Sequence, residues 1–369
     1  MPEESAGPTL SQLLRGSLVT QLVHVAAALG IADLLSAGPR SSIELATAVE
    51  ANPEVLYRVL RALASLGIFM ETEPGIFSLT PLAEPLRKDV PNSLRASAVL
   101  YGTSWWWQAC GELLHSVVTG RPAFDHVHGK ALFSFLDSEQ DAAAIFNDHQ
   151  SNMTSQDAAA VVAAYDFAQY PTVIDVGGGH GVLGAAIVNA CPRTAVMVFD
   201  QPAVIASAPR RSSAEGGPSL LTYVAGDFFE SVPPGGHAYV LKDIVHDWSD
   251  QEATTILRNC GLAMAHTPGM EAKLLVVEKV IPPGNGSFPG KLTDITMLLI
   301  SGGRERTANE YQTLLAQAGF TLMRIVATRS PASIIEAVPT RAGDGLQASA
   351  GWQAHTDLPG RQDRSPAAL

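Results

Sequence analysis

The segment LKDIVHDWSD (residues 241–250) sets an imidazole, His246, among acids just beyond an apolar strand-like run, Ala238 to Lys242. Imidazole titrates near neutrality, so a histidine held near the carboxyl ends of such strands can take a proton from a bound hydroxyl. An oriented base needs a partner on its other ring nitrogen. Two carboxylates are candidates: Glu278, which ends the next strong strand, and Glu305, in the turn 302–307 leading into a helix over Asn309 to Ala318. Taken alone, His246 also reads as a capping or packing histidine, and Glu278 as a solvated strand-end acid.

A second group of residues surrounds the glycine turn VIDVGGGHG (173–181), a buried strand running into a helix. Such a turn lets a ligand approach the backbone closely, with helix N–H groups aimed at it. A dinucleotide fingerprint should begin directly after the strand. Counted from there the glycines fall at Gly177 and Gly179 and then fail at Val182; the pattern returns only in the later frame Gly179, Gly181, Gly184. Asp175, two residues before Gly177, would repel a pyrophosphate and suit a cation. S-adenosylmethionine fits that description, with a sulfonium, an α-ammonium and no phosphate. Asp200 ends the second strand, where an acid accepts hydrogen bonds from ribose hydroxyls. Asp227 follows the third strand, within reach of an adenine amino group, and Phe228 can cover the ring. Each acid alone also reads as a turn or cap residue; their order on successive strand ends argues for a cofactor site.

The elements that must position these groups follow from the pattern. Strands are expected at Thr172–Val176, Ala195–Asp200, Thr222–Val224, Ala238–Lys242 and Lys273–Val280, with helices at Gly181–Ala190, Val204–Pro209 and Ser249–Ala265. Alternating β and α predicts an α/β fold, a mostly parallel sheet with helices on both faces. Upstream, Leu10 to Leu35 carries helical periodicity that Gly38-Pro39 stops. Residues 41–88 read as helix, turn, helix and hairpin, with Asn52-Pro53 opening the second helix and Pro74-Gly75 joining the short strands, a winged-helix-like pattern. Residues 92–168 look helical and hold most of the aromatics. The expected division is 1–90, 91–170, 171–338 and a flexible tail over 339–369.

Composition limits the partners. The net charge of −12, from 24 basic and 36 acidic residues, repels nucleic acid and anionic lipid. Cys110, Cys191 and Cys260 lie far apart and match no metal spacing, which suggests a reducing cytoplasm. The acidic start of the chain is unlike a secretory signal, and no apolar run reaches the ~18 residues of a membrane span. Asp125, His126 and His128 are expected in a loop without further ligands, so no metal is assigned. His24 and His115 fall within helices and read as interface or core residues.

The segments VIDVGGGHG, FDQP (199–202), GDFF (226–229), LKDIVHDWSD and GGRERT (302–307) resemble the S-adenosylmethionine-dependent small-molecule O-methyltransferases, of the caffeic acid, chalcone and hydroxyindole types and the bacterial polyketide-tailoring enzymes. The resemblance spans residues 10–338. It implies a Rossmann-like class I methyltransferase domain with an N-terminal winged-helix-like dimerisation domain whose first helices reach toward the partner's site. It implies cofactor contacts from Gly177, Asp200, Asp227, Phe228 and Lys242, a base at His246 bracketed by Glu278 and Glu305, and an acceptor pocket walled by Phe146, Gln150 and Met153. Gln150 and Met153 differ from the pocket residues of the plant phenylpropanoid enzymes, and Trp105 to Phe124 looks more like the bacterial relatives. The implied reaction is methyl transfer to a phenolic hydroxyl of an aromatic secondary metabolite, in a homodimer. Two other readings are a different tailoring reaction on the same fold, such as hydroxylation, decarboxylation or N- or C-methylation, and a winged-helix DNA-binding regulator.

Overall fold

The computed structural model describes residues 9–208, 220–267 and 271–340. The expected tail, beyond Thr340, and Pro209 at the end of one expected helix lie outside the described residues.

The N-terminal unit starts with three helices, Leu10–Leu14, Gly16–Ala28 and Ile31–Leu34, rather than one continuous helix to Leu35. The periodicity is real, but Gly30 adopts φ +65°, a left-handed conformation that ends the helix well before Gly38. Strand β1 (Arg40–Ser41) leads into the helix Ser42–Ala48, whose first turn is closed by reciprocal bonds between Ser41 and Glu44. Asn52 caps the next helix, Pro53–Ser65. Strands β2 (Phe69–Glu73) and β3 (Ile76–Leu79) form the hairpin, and β1 adds a third strand beside β3. Leu45, Leu56, Leu60, Phe69 and Phe77 pack this unit's own core. Leu10, Leu13, Leu14 and Leu18 are 61–75% exposed, an apolar face that this chain alone does not cover.

Helices fill residues 95–164, ending in the long helix Gln140–Ala164. Then comes the main sheet: β4 (Thr172–Val176), β5 (Ala195–Asp200), β6 (Leu221–Ala225), β7 (Ala238–Lys242), β8 (Lys273–Glu278), β9 (Phe320–Ala327) and β10 (Ser333–Pro339). Their order is β6-β5-β4-β7-β8-β10-β9. Neighbours from β6 to β8 pair parallel, and β10 pairs antiparallel with both β8 and β9. Central strands are buried at nearly every position because both faces are covered. Ile174, Tyr239, Leu241 and Val276 face the helices Asp250–Met264 and Ala308–Gln317. Val173, Val240, Leu275 and Val277 face the other layer, with Val161 and Ile187.

The chain order reverses at β4, which has β5 on one side and β7 on the other. In open sheets of this kind ligands bind beyond the carboxyl ends of strands at that switch point. Gly177, Asp200, Lys242 and Glu278 all sit at those ends.

Candidate active site

Two adjoining cavities open at this edge. A cleft is lined by Gly177, Gly178 and Gly179 after β4, Lys242, Asp243 and Ile244 after β7, and Asn147, Gln150, Ser151 and Thr154 from the long helix. Beside it, sharing Gln150 and Asp243, is a cavity of about 270 Å³ lined by Tyr101, Trp106, Phe146, His149, Met153, His246, Lys279 and Met297, among others. Phe146, Gln150 and Met153 thus share one cavity with His246.

His246 lies in a short 3₁₀ turn, Val245–Asp247, and is only 5% exposed. Its Nδ1 is 3.1 Å from Glu305 Oε1 and 3.2 Å from Glu278 Oε2. Both carboxylates are closed off from solvent. Nε2 approaches only Asp247, at 3.8 Å. Glu278 also holds the backbone, its Oε1 accepting from the N–H groups of Ile244 (3.1 Å) and His246 (3.2 Å). The Glu305 N–H donates to Asp294 Oδ1 at 2.9 Å, which fixes the turn on which Glu305 rides. Both expected partners therefore reach the same ring nitrogen.

The segment 302–307 is fitted against the histidine loop. The Arg304 N–H donates to the His246 carbonyl at 2.8 Å, and a Cβ at Gly303 would collide with that carbonyl. Arg306 is fully buried. Its guanidinium donates to the carbonyls of Val245 (3.0 Å), Trp248 (3.1 Å) and Arg304 (3.1 Å) and twice to Asp250 Oδ1 (3.0 and 2.7 Å). The sequence reading passed over Arg306. No pattern in one dimension separates it from Arg304, whose side chain is 43% exposed.

The acids set the charge on the base. Burial disfavours an imidazolium, but Glu278, Glu305 and Asp247 outweigh it and raise the His246 pKa to about 10. Burial raises Glu278 to about 7 and Asp247 to about 6, against the pull of His246. The raised imidazole matches a phenol, whose pKa is near ~10, at the cost of holding its proton at neutral pH.

Lys242 lines the cleft, as expected of a cofactor-site residue, while its ammonium pairs with Asp243 and, at 3.3 Å, with Asp157. Burial pulls the Lys242 pKa down, but Asp243 and Asp157 more than offset it. Asp243, His246 and Glu278 offer ligand atoms within 4.8 Å of one another. Asp243 is already bracketed by two ammonium groups, Lys242 and Lys279, whose charge opposes a metal ion there.

The chain fits a cationic, ribose-bearing cofactor on three observations. The φ of Gly177 is +71°, and a Cβ there would collide with Ile244, whereas one at Gly179 would meet nothing within 4 Å. Asp200 is fixed by the N–H groups of Gly179 and Gln201, each at 2.7 Å, and its oxygens keep lone pairs for hydroxyls. Glu305 Oε2 is buried behind His246 without a hydrogen bond, a negative group that a cation bound nearby would offset. Phe228 reaches the glycine turn, with Cε1 3.7 Å from where a Gly177 Cβ would stand. Asp227 is exposed, and its Oδ1 accepts from the Phe229 N–H at 2.8 Å, a local turn.

Asp175 does not do what its position suggested. It is 1% exposed beneath Gly178 and is not among the cleft-lining residues. Burial, and then Asp200, raise its pKa to about 7. The histidines expected in a loop lie on the helix Ala123–His128. There His126 stacks on His115 at 4.0 Å and His128 Nε2 bonds the Trp105 carbonyl at 2.9 Å. His24 packs between helices, its Nδ1 donating to the Val99 carbonyl at 2.9 Å.

Comparison with known proteins adds to this geometry. Residues 110–321 match the model of an O-methyltransferase domain, and residues 11–89 that of an O-methyltransferase dimerisation domain. The chain is 45% identical over 331 residues to phenazine O-methyltransferase PhzM of Lysobacter antibioticus, covering 89% of this chain and 95% of that one. It is 39% identical over 335 residues to O-demethylpuromycin-O-methyltransferase of Streptomyces alboniger, covering 89% and 88%. Among solved structures it is similar to CalO1, a methyltransferase in calicheamicin biosynthesis solved in its S-adenosylhomocysteine-bound form. That match has a TM-score of 0.76 and 32% identity and covers 90% of this chain and 97% of that one.

Proposed function

This chain belongs to the S-adenosylmethionine-dependent O-methyltransferase family, and we propose that it methylates a phenolic hydroxyl of an aromatic secondary metabolite with His246 as the general base. The observation that carries this reading is the double clamp on Nδ1, which leaves Nε2 as the nitrogen available to the aromatic cavity beside the glycine cleft.

The donor supplies an electrophilic methyl on a positively charged sulfur. The acceptor oxygen forms the new C–O bond as the C–S bond breaks, its electron pair passing to sulfur, and the hydroxyl proton moves to Nε2. Glu278 and Glu305 stabilise the resulting imidazolium, as an acid does in a hydrolase triad. His246 shares its surroundings with the donor's positive charge, and like charges shift the imidazole toward the neutral form that can act. Asp200 would hold the ribose, Gly177 would let the cofactor lie against the backbone, and Phe228 and Asp227 would flank the adenine. Lys242 would act by ordering Asp243 and Asp157 along the cleft.

Cavity size bounds the acceptor. A dry cavity of about 150 Å³ holds one benzene, so about 270 Å³ suits roughly two fused rings better than a large polycycle. Phe146, Met153 and Trp106 supply flat apolar walls, and Gln150 reaches both cavities. The matching dimerisation domain supports a homodimer, and the exposed leucines of the first helices give it a surface. Cys110, Cys191 and Cys260 are free, which suits the cytoplasmic location we assign; no helix among the described residues is long and apolar enough to cross a membrane.

The test is His246→Ala, assayed by mass gain of one methyl on a panel of phenols. A general base contributes about 10²–10⁴. A loss of that size is expected, and a fall of less than tenfold would remove His246 from the role.

A further inference from the structure

Besides His246, Asp243 and Asp247, the 270 Å³ cavity has as polar lining Gln150, two threonines, Tyr101, His149 and Lys279. Tyr101 and His149 have ring centroids 5.5 Å apart. Burial lowers the His149 pKa, Asp243 opposes that and Lys279 adds to it; at Tyr101 burial raises the pKa and Lys279 opposes it.

Tyr101, His149 and Lys279 all present donors. Lys279 follows Glu278 at the end of β8, and its side chain is 12% exposed. Its ammonium stands 3.5 Å from Asp243 Oδ1 and 3.8 Å from Glu305 Oε1. Both are longer than the ~2.7–2.9 Å of a charge-assisted hydrogen bond, so its N–H groups keep unused capacity beside the cavity. His149 is 8% exposed, and burial drops its pKa to about 4, which makes it a neutral imidazole. Its Nδ1 is 3.0 Å from Ser97 Oγ, and Ser97 has as its other side-chain neighbour Met153 Sδ at 3.8 Å. A thioether is the weaker acceptor, so the Ser97 hydroxyl donates to Nδ1 and the His149 proton resides on Nε2. Tyr101 is 40% exposed as a residue, but burial of its hydroxyl raises its pKa, which keeps it a donor. A ring with no further substituent would offer nothing to the His149 N–H and the Tyr101 O–H, and would leave Lys279 with its long pairs to Asp243 and Glu305, at a cost.

We propose that Tyr101, His149 and Lys279 form a carboxylate-recognition corner inside the acceptor cavity, so that the preferred acceptor is an aromatic hydroxy acid. The inference rests on the cavity being the acceptor site. A carboxylate offers about four lone-pair positions on two oxygens, enough for all three donors. It also completes the coordination of Lys279, which its long pairs with Asp243 and Glu305 leave open. The ring then lies along Trp106 and Phe146, with its hydroxyl toward His246.

The experiment measures binding first and turnover second. Isomers of hydroxynaphthoic acid and their methyl esters are titrated calorimetrically into the full-length protein saturated with S-adenosylhomocysteine. For at least one isomer the acid is expected to bind at least tenfold more tightly than its ester, the order that a hydrogen bond to a charged group supplies. That ratio is expected to fall toward one in Lys279→Met, to survive in Lys279→Arg, and to shrink several-fold in His149→Phe and Tyr101→Phe. The ratio is internal to each variant, and ester binding reports that the variant is folded; should Lys279→Met bind neither, the two aromatic substitutions decide. Equal binding of acid and ester across the panel, no measurable binding of any acid, or a ratio unchanged in all the variants would overturn the corner. Methyl transfer is then scored with the same compounds. Acids that bind with the expected preference but are never methylated would leave the corner standing and refute O-methylation. Equal binding together with methylation would do the reverse.

Discussion

Replacing Glu305 by glutamine isolates the electrostatics of the base. The substitution keeps an oxygen that can accept from His246 Nδ1 at the present 3.1 Å and removes one negative charge. Two unit charges at that separation interact by about 5 kcal/mol at an effective dielectric constant of 20. Glu278 lies at 3.2 Å and ionises more readily once Glu305 is neutral, which offsets part of the loss. The remainder falls in the range of about one to three pKa units that a single close opposite charge commands. The sign is fixed by the starting point. With the His246 pKa raised to about 10, the free protein is protonated at neutral pH, and kcat/KM for the methyl donor, which reports the donor-free protein, should climb about tenfold per pH unit from about pH 6 to 9. In Glu305→Gln the midpoint of that limb should move down by about one to three units, with a lower plateau because a weaker base remains. The assay is a pH profile of methyl transfer. An acceptor whose hydroxyl stays un-ionised from about pH 6 to 9 keeps the proton that the base must remove and adds no limb of its own. A wild-type profile already flat at neutral pH, or a limb that Glu305→Gln does not move, would refute the assignment of the proton to His246.

Arg306→Met should destabilise the folded protein by about 3–5 kcal/mol in urea unfolding, because it strands Val245, Trp248 and Arg304 carbonyls that the buried guanidinium now serves; a change under 1 kcal/mol would mean water replaces it. Gly177→Ala puts a Cβ into Ile244 at a φ of +71° and should weaken S-adenosylhomocysteine binding at least tenfold by calorimetry. Leu14→Glu with Leu18→Glu charges the exposed face of the first helices and should convert the dimer to a monomer in light scattering; an unchanged mass would place the dimer contact elsewhere.

Much of the sheet was legible because its strands are buried on both faces. Thr172–Val176, Ala195–Asp200 and Ala238–Lys242 match the expected bounds, and the strand expected to reach Val280 stops at Glu278, where the carboxylate turns inward to the loop of His246. Strands β9 and β10 went unread. Half of β9 is exposed, with Met323 and Arg324 toward solvent, and an edge strand of that kind loses the continuous apolar signal. The helix Gly290–Ile300, which walls the cavity through Met297, has no cap residue to announce it: Pro289 precedes it without a side-chain bond. The segments around His246 and Glu305 and the end of the strand at Glu278 brought forward three side chains that the structure sets together, and the order of strand ends brought forward Gly177 and Asp200 at the switch point. Tyr101, His149 and Lys279 lie on three separate elements far apart in the chain, and only packing brings them to one wall. Asp175 misled because a strand residue alternates faces, and the sequence does not say which face lies beneath the turn.

The two acids behind His246 reach the same ring nitrogen from different elements. Glu278 comes from a central strand and spends Oε1 on two backbone N–H groups, so its first effect is on where the loop lies. Glu305 comes from a turn that Arg306 ties down, and its Oε1 meets the ring. Glu278 also stands 3.2 Å from Nδ1 with its other oxygen, Oε2, and Glu305 gives the ring a second contact from a separate element, so the imidazole is held even where the loop alone would let it swing. Lys242 and Lys279 pair with Asp243, so the negative charge that acts on the imidazole comes from Glu278, Glu305 and Asp247. A cationic methyl donor bound beside them would compete with the imidazolium for those carboxylates, and would favour the neutral imidazole on which the proposed base role depends.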